Sequence, residues 1–112
     1  RYAGIFYNEE QMWTYTIKRN PNAWQAHSRL GKVMIDSGRD DAAFYHIGES
    51  VRLRPDLAET HNNHGAMLEK RGDVEGATKE LREAVRLAPD INIYRINLGS
   101  LFQRVAALEA RG

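Results

Sequence analysis

The chain has 112 residues, 42% of them hydrophobic and 28% charged, with only 3 prolines. That suits one small folded domain or a piece of a larger chain, and it excludes two-domain, disordered and collagen-like architectures. Sixteen Lys and Arg against fifteen Asp and Glu leave a formal charge of +1, which disfavours nucleic acid as a partner, and the absence of cysteine excludes disulfides, thiolate metal sites and a cysteine nucleophile.

Residues 1–21 read as an N-terminal segment followed by one helix. The apolar stretch at residues 2–7 is interrupted by Gly4 and falls far short of the roughly 18 residues of a membrane span. The chain opens at Arg1 without a signal-peptide pattern, as expected of an excised piece whose targeting segment would lie upstream. Asn8 followed by Glu9, Glu10 and Gln11 predicts a helix start of the capping-box kind. That helix ends before Pro21, with Met12, Trp13, Thr16 and Ile17 on its apolar side and Trp13 as the core aromatic.

Residues 22–55 predict a helical hairpin. Trp24, His27, Leu30, Gly31, Met34 and Ile35 recur at three- and four-residue steps, which gathers them on one helical stripe. Gly38 suits the left-handed residue that closes a helix, and Asp40 can cap the next one. The second helix buries Ala43, Ile47, Ser50 and Val51 until Pro55 stops it. Residues 56–89 repeat the pattern with Gly72, the cap Asp73, then Ala77, Leu81, Ala84, Val85 and Leu87 before Pro89. Gly31 and Gly65, with Ala43 and Ala77, are contact points at which two helices approach closely. In residues 90–112, Val105 to Ala110 replaces the next turn with strong helix formers, so one long helix over residues 92–110 is expected to cap the array.

An offset of 34 pairs His27 with His61, Gly31 with Gly65, Gly38 with Gly72, Ala43 with Ala77, Glu49 with Glu83, and Val51-Arg52-Leu53 and Pro55 with Val85-Arg86-Leu87 and Pro89. These are nine identities where chance composition gives about two. Leu30-Gly31, Gly38, Ala43, Leu53 and Pro55, with Gly65, Gly72, Ala77, Ala84, Leu87 and Pro89, resemble the tetratricopeptide repeat, a helix-turn-helix unit of this period. Asn97-Leu98-Gly99 and Phe102 begin a third copy, and the helix before Pro21 reads as the second helix of an incomplete preceding one. The resemblance implies an all-α right-handed solenoid of about six helices in a single domain over residues 1–112. First helices line its concave groove, and it serves as a non-catalytic protein-interaction scaffold without cofactor.

The chemistry-bearing residues point the same way. No nucleophile elbow, phosphate loop, zinc helix motif or dinucleotide fingerprint occurs. His61 and His64, at i and i+3, could present two nitrogens to one metal, but packing or a local hydrogen bond explains them, and neither metal nor catalytic residue is expected. His64 stands where Leu30 and Leu98 stand, in a core slot that disfavours its charged form, which predicts acid sensitivity. The adjacent carboxylates Asp40-Asp41 and Glu9-Glu10 lie at helix starts, where negative charge suits the macrodipole.

The outward side of the first helices is the expected binding groove. It comprises Gln25, Ser28, Arg29, Lys32 and Asp36 in one copy, then Glu59, Asn62, Asn63, Ala66, Glu69 and Lys70 in the next. Ile93, Ile96, Asn97, Ser100 and Arg104 complete it. By resemblance, Asn63 and Asn97 match the asparagine with which many family members hold a peptide main chain, whereas Arg29 breaks that ladder. Lys32 and Asn63 offer only part of the basic clamp that relatives use on chaperone tails, and Ser28, Ile93 and Asn97 depart from it, so that ligand is not expected. Ile93 and Ile96 offer an apolar contact to a peptide or to a second copy of the chain, which makes a homo-oligomer the first alternative.

One further stretch, Phe6 to Trp13 with Asn20-Pro21-Asn22-Ala23-Trp24, is similar to the junction at which bacterial multi-spanning glycosyltransferase-type proteins, relatives of protein O-mannosyltransferases, enter a soluble repeat tail. It implies an extracytoplasmic accessory domain with a juxtamembrane remnant at residues 1–7. The other reading of Tyr2, Ile5 and Phe6 is a cover over the first helix, and the compartment is left undecided between cytoplasm and periplasm.

Overall fold

A computed structural model describes residues 8–111, so both readings of residues 1–7 lie outside the described residues. The described residues form six helices: α1 Glu9–Arg19, α2 Trp24–Asp36, α3 Asp40–Leu53, α4 Ala58–Lys70, α5 Val74–Leu87 and α6 Asn92–Arg111. None of them is long and apolar enough to cross a membrane. The chain divides into two compact units, Arg1–Arg54 and Pro55–Gly112.

In the first unit α2 packs against both α1 and α3. The Asn8 side chain accepts from the Gln11 N–H at 2.9 Å, so the expected cap opens α1, and Pro21 follows its last turn. Trp13 is half-buried and donates to Glu9 at 3.3 Å, rather than filling a core, because α1 has no fully buried residue. Between α2 and α3 the chain reverses at Gly38, with φ +79°. The Gly38 N–H donates to Ile35 O at 3.0 Å and the Arg39 N–H to Met34 O at 2.8 Å. That reciprocal pair satisfies two carbonyls of the helix end and requires the left-handed residue between them.

The same device closes α4 in the second unit. Gly72 has φ +87°, its N–H reaches Glu69 O at 2.9 Å, and the Asp73 N–H reaches Leu68 O at 2.9 Å. The helices that follow start differently. Asp73 caps α5 by accepting from the Gly76 N–H at 2.9 Å, whereas α3 has Arg39 at its cap position and no side-chain cap bond. The expectation that Asp40 caps α3 is therefore corrected: the 34-residue register aligns Arg39 with Asp73, and Asp40 is already the first helical residue. Arg39 instead forks onto Glu10, at 2.8 and 2.7 Å, and this hydrogen bonding holds the Glu10 carboxyl below its ordinary value. Glu10 thus ties α1 to the α2–α3 turn as well as placing negative charge at its own helix start. Asp73→Ala is expected to lose about 0.5–2 kcal/mol through the uncapped α5 N-terminus. A urea midpoint equal to that of the parent would show that the cap contributes nothing.

Each unit buries its hairpin through small residues. Ala43 and Ile47 of α3, with Ala77 and Leu81 of α5, are buried, and a Cβ on Gly31 would stand 2.6 Å from Ile47 Cγ1. On Gly65 it would stand 2.9 Å from Leu81 Cγ. Both glycines are therefore the contact points that the sequence predicts. In the second unit Leu81 and Ala77 continue into Leu101 of α6, with Leu68, Val74, Leu98 and Val105 packed around them. The expected capping helix is present and runs for 20 residues. Its stripe is rotated, however: Leu101 is buried while Phe102 stays 43% exposed with the Arg82 guanidinium over its ring. The contact glycine of this third copy, Gly99, has nothing within 4 Å of its Cβ position. Leu98, Leu101 and Val105 lie on the side of α6 that meets α5, and Gly99 lies on the other.

Candidate functional site

The second unit brings the expected groove residues of α4 and α6 onto facing surfaces. On α6, Ile93, Asn97, Ser100 and Arg104 follow at steps of four, three and four, one stripe of a 3.6-residue helix. On α4, Asn62, Ala66 and Glu69 do the same. Asn97 Nδ2 donates to Asn62 Oδ1 at 2.9 Å, and the Arg104 guanidinium pairs with the Glu69 carboxylate. Between these two ties lies a cleft of about 220 Å3 lined by Ala66, Glu69, Leu81, Asn97, Ser100 and Arg104. The Asn97–Asn62 bond uses one N–H of a carboxamide that has two N–H groups and an acceptor oxygen. Burial pushes the Tyr94 phenol up, and the negative charge of Glu59 adds to that.

Ile93 and Ile96 beside the cleft are 52% and 57% exposed. Glu59, Ala66 and Lys70 are exposed or half-exposed and Asn63 is half-buried. The structure thus gathers Asn62, Ala66, Glu69, Asn97, Ser100 and Arg104 about one cleft, and adds Leu81. Leu81 escapes a sequence reading of this surface because it belongs to α5, and only the packing of α5 against α4 and α6 brings it to the cleft.

In the first unit Gln25, Arg29 and Lys32 are exposed on α2, but Ser28 is buried. The expectation that Ser28 lines a groove is corrected. The buried residues of α2 include Ala26, His27, Ser28, Leu30, Gly31 and Met34, a wider band than the single stripe read from its apolar residues, because α2 packs against α1 as well as α3. A larger open depression, about 490 Å3, is lined by Glu75, Thr78, Lys79, Arg82, Glu83 and Arg86. These residues all belong to the outer side of α5, where Arg86 is paired with Glu83.

The histidines form a pattern that the sequence reading did not find. His27 Nε2 meets Pro21 O at 2.9 Å, His61 Nε2 meets Pro55 O at 2.6 Å, and Arg95 Nη1 donates to Pro89 O at 2.7 Å. Residues 27, 61 and 95 are one repeat position, and each side chain bonds the proline carbonyl six residues earlier. That carbonyl follows the end of a helix, where it has no helical partner. The other His27 nitrogen, Nδ1, meets His46 Nδ1 at 3.0 Å, whereas His61 Nδ1 meets Glu80 Oε1 at 2.8 Å. His46 and Glu80 are also one repeat position. The 34-residue alignment carries the signal, because His46 and Glu80 stand opposite the matched pair His27 and His61.

His64 is half-buried with Nδ1 3.3 Å from the same Glu80 oxygen. A carboxylate therefore stands beside the ring at a position where Leu30 and Leu98 carry apolar side chains. The described residues hold no group of three or more His, Asp and Glu able to bind a metal ion.

Paired antiparallel helices at a 34-residue period, contact glycines on the first helix, small residues on the second, a left-handed glycine between them and a closing proline define the tetratricopeptide-repeat fold, and the chain has it. Solved structures of two tetratricopeptide-repeat proteins agree. A crystal structure of MamA superposes with TM-score 0.77 at 21% identity, over 87% of this chain and 57% of that one. MamA residues 41 to the end from Desulfovibrio magneticus RS-1 give 0.77 at 22% identity, over 87% and 55%. A Thermobaculum terrenum O-GlcNAc transferase mutant gives 0.77 at 26% identity, over 82% of this chain and 18% of the transferase. The chain thus spans somewhat over half of the MamA structures and less than a fifth of the transferase. No family model matches the sequence, and no curated protein does.

Proposed function

We propose that the α4–α6 face of the second unit is a recognition surface for a segment of another protein, and that the chain acts as a non-catalytic interaction module. The observation that carries this reading is the cleft between Asn62–Asn97 and Glu69–Arg104, with exposed Ile93 and Ile96 beside it. Carboxamides supply donor and acceptor together, which suits a main chain irrespective of its side chains, and isoleucines add area without charge. Burying either one fully contributes roughly 1.5 to 3 kcal/mol. The Glu69–Arg104 pairing leaves the cleft without an uncompensated cation, which disfavours a carboxylate-terminated tail as the ligand. The residues about the cleft present no nucleophile beside a base, so the reading involves no reaction.

A peptide-library selection on the whole chain, followed by titration of a selected peptide, tests the proposal. Asn62→Ala with Asn97→Ala is expected to weaken that peptide about tenfold or more, in line with the loss of one or two hydrogen bonds at about 0.5–1.5 kcal/mol each, with an unchanged helical spectrum. Equal affinity for parent and double variant would refute the assigned role.

A second copy of the chain is the other occupant favoured by an observation, since Gly99 is open and Ile96 exposed on the same helix. Sedimentation across a concentration series separates the two: a strict monomer excludes self-assembly and leaves peptide recognition standing.

A further inference from the structure

One repeat position governs how each hairpin closes. In the first unit Gly31 stands against Ile47 and Ala43 of α3, and in the second Gly65 stands against Leu81 and Ala77 of α5. Three residues after these glycines, Met34 is 9% exposed and Leu68 packs on the cluster of Ala77 and Leu81. The third example of the pattern is on α6, where Gly99 is followed by Phe102. There nothing lies within 4 Å of the Gly99 Cβ position, and Phe102 is 43% exposed. Ile96 is 57% exposed, although Ser28 at the same repeat position is buried. The neighbouring helices meet α6 on its other sides, α5 through Leu98, Leu101 and Val105, and α4 through Asn97 and Arg104.

The chain's own course does not fill this slot. A second helix in register would start at residue 108, 34 after Val74, but α6 runs unbroken through that point to Arg111. A mid-helix glycine weakens an exposed helix relative to alanine, and a helix that closes a repeat array ordinarily turns polar residues outward. Ile96, Gly99 and Phe102 suit close approach by another helix instead.

The two filled slots specify the chemistry of what fits. Each is closed by an alanine with a branched aliphatic residue four positions on, Ala43 with Ile47 and Ala77 with Leu81. The residue three positions after the alanine answers the first helix: His46 meets His27 at 3.0 Å, and Glu80 meets His61 at 2.8 Å. Arg95 stands at the His27 and His61 position of α6, where it donates to Pro89 O at 2.7 Å and to Asn92 Oδ1. A guanidinium has five N–H groups, so donors and charge remain for a carboxylate.

We propose that Ile96, Gly99 and Phe102, with Arg95 at their edge, form a docking slot for an amphipathic helix of another protein. That helix carries alanine, glutamate three residues later and leucine or isoleucine four residues later. The alanine lets the backbones approach, the aliphatic side chain seats over Gly99 as Leu81 does over Gly65, and the glutamate pairs with Arg95. α5 itself has this pattern in Ala77, Glu80 and Leu81. The slot lies on a different stripe of α6 from Asn97, Ser100 and Arg104, so it stands apart from the proposed function.

A synthetic helix of residues 73–87, held by a lactam between Glu75 and Lys79 on its outer side, provides the probe. A free peptide of that length is marginally helical in water, and the lactam removes much of the ordering cost. Titrated into the whole chain, it is expected to bind saturably at one helix per chain. Gly99→Val in the chain, whose Cβ meets the seated leucine as one on Gly65 would meet Leu81, should weaken binding about tenfold or more. Glu80→Lys in the synthetic helix should weaken it several-fold. In the unmodified chain, amide shifts should move around Gly99 and Phe102. Absence of binding at about 1 mM helix, equal affinity for Gly99→Val, or shifts confined to Asn62, Asn97 and Arg104 overturns the proposal. A chain that is dimeric alone and monomeric as Gly99→Val also overturns it, by giving the slot to a second copy.

Discussion

Leu81→Ala is expected to cost about 2–5 kcal/mol, the range for deleting a buried leucine whose surroundings cannot collapse. Leu81 is 2% exposed and sits in the cluster with Ala77 and Leu101, and its Cγ is the atom closest to where a Cβ on Gly65 would lie. It therefore joins all three helices of the second unit. Ala77 is already the smallest side chain that keeps a Cβ, and backbone contact at Gly65 limits how far α4 can move in, so the void would persist. The matching consequence is local: α6 should lose hydrogen-exchange protection first, because Leu101 is its one buried residue. Chemical denaturation of the variant gives the magnitude. A loss below about 1 kcal/mol, the cost of an ordinary substitution, would mean that α6 is held by something other than this cluster.

Gly31→Val and Gly99→Val are expected to separate sharply, although both change the same repeat position. At Gly31 the new Cβ would stand 2.6 Å from Ile47 Cγ1 and 3.4 Å from Ala43 O. Ile47 is itself 2% exposed and cannot swing clear, so overpacking of about 1–3 kcal/mol is expected. That exceeds the helix-propensity gain of a few tenths of a kcal/mol on replacing glycine by valine. At Gly99 nothing lies within 4 Å, and the same change is expected to stay within about 0.5 kcal/mol. Urea midpoints of the two variants check this. Equal losses would show that Gly99 is covered in solution, which would favour the self-associated form.

Most of the helical scaffold is legible in the residue order. Asn8, Pro21, Gly38, Pro55, Gly72 and Pro89 act on the backbone within a turn of themselves, so the starts and stops they impose survive whatever packs above. The Asp40 expectation missed by one residue because local chemistry allows a cap at either position, and the repeat register, not the residue type, decides between them. The cleft was legible in part. Asn62, Ala66, Glu69, Asn97, Ser100 and Arg104 follow from helical spacing, but Leu81 and the Asn62–Asn97 and Glu69–Arg104 ties depend on α4 and α6 lying side by side.

By itself the sequence determined the 34-residue period, the hairpins, the contact glycines and the long last helix, since each rests on φ/ψ limits, missing N–H groups or apolar spacing along one chain. Only the tertiary structure decided that Ser28 is buried, that Leu101 rather than Phe102 enters the core, and that His27 meets His46 where His61 meets Glu80. Those outcomes turn on which helix faces which, a relation between residues far apart in sequence whose side chains carry no local signal of their partners.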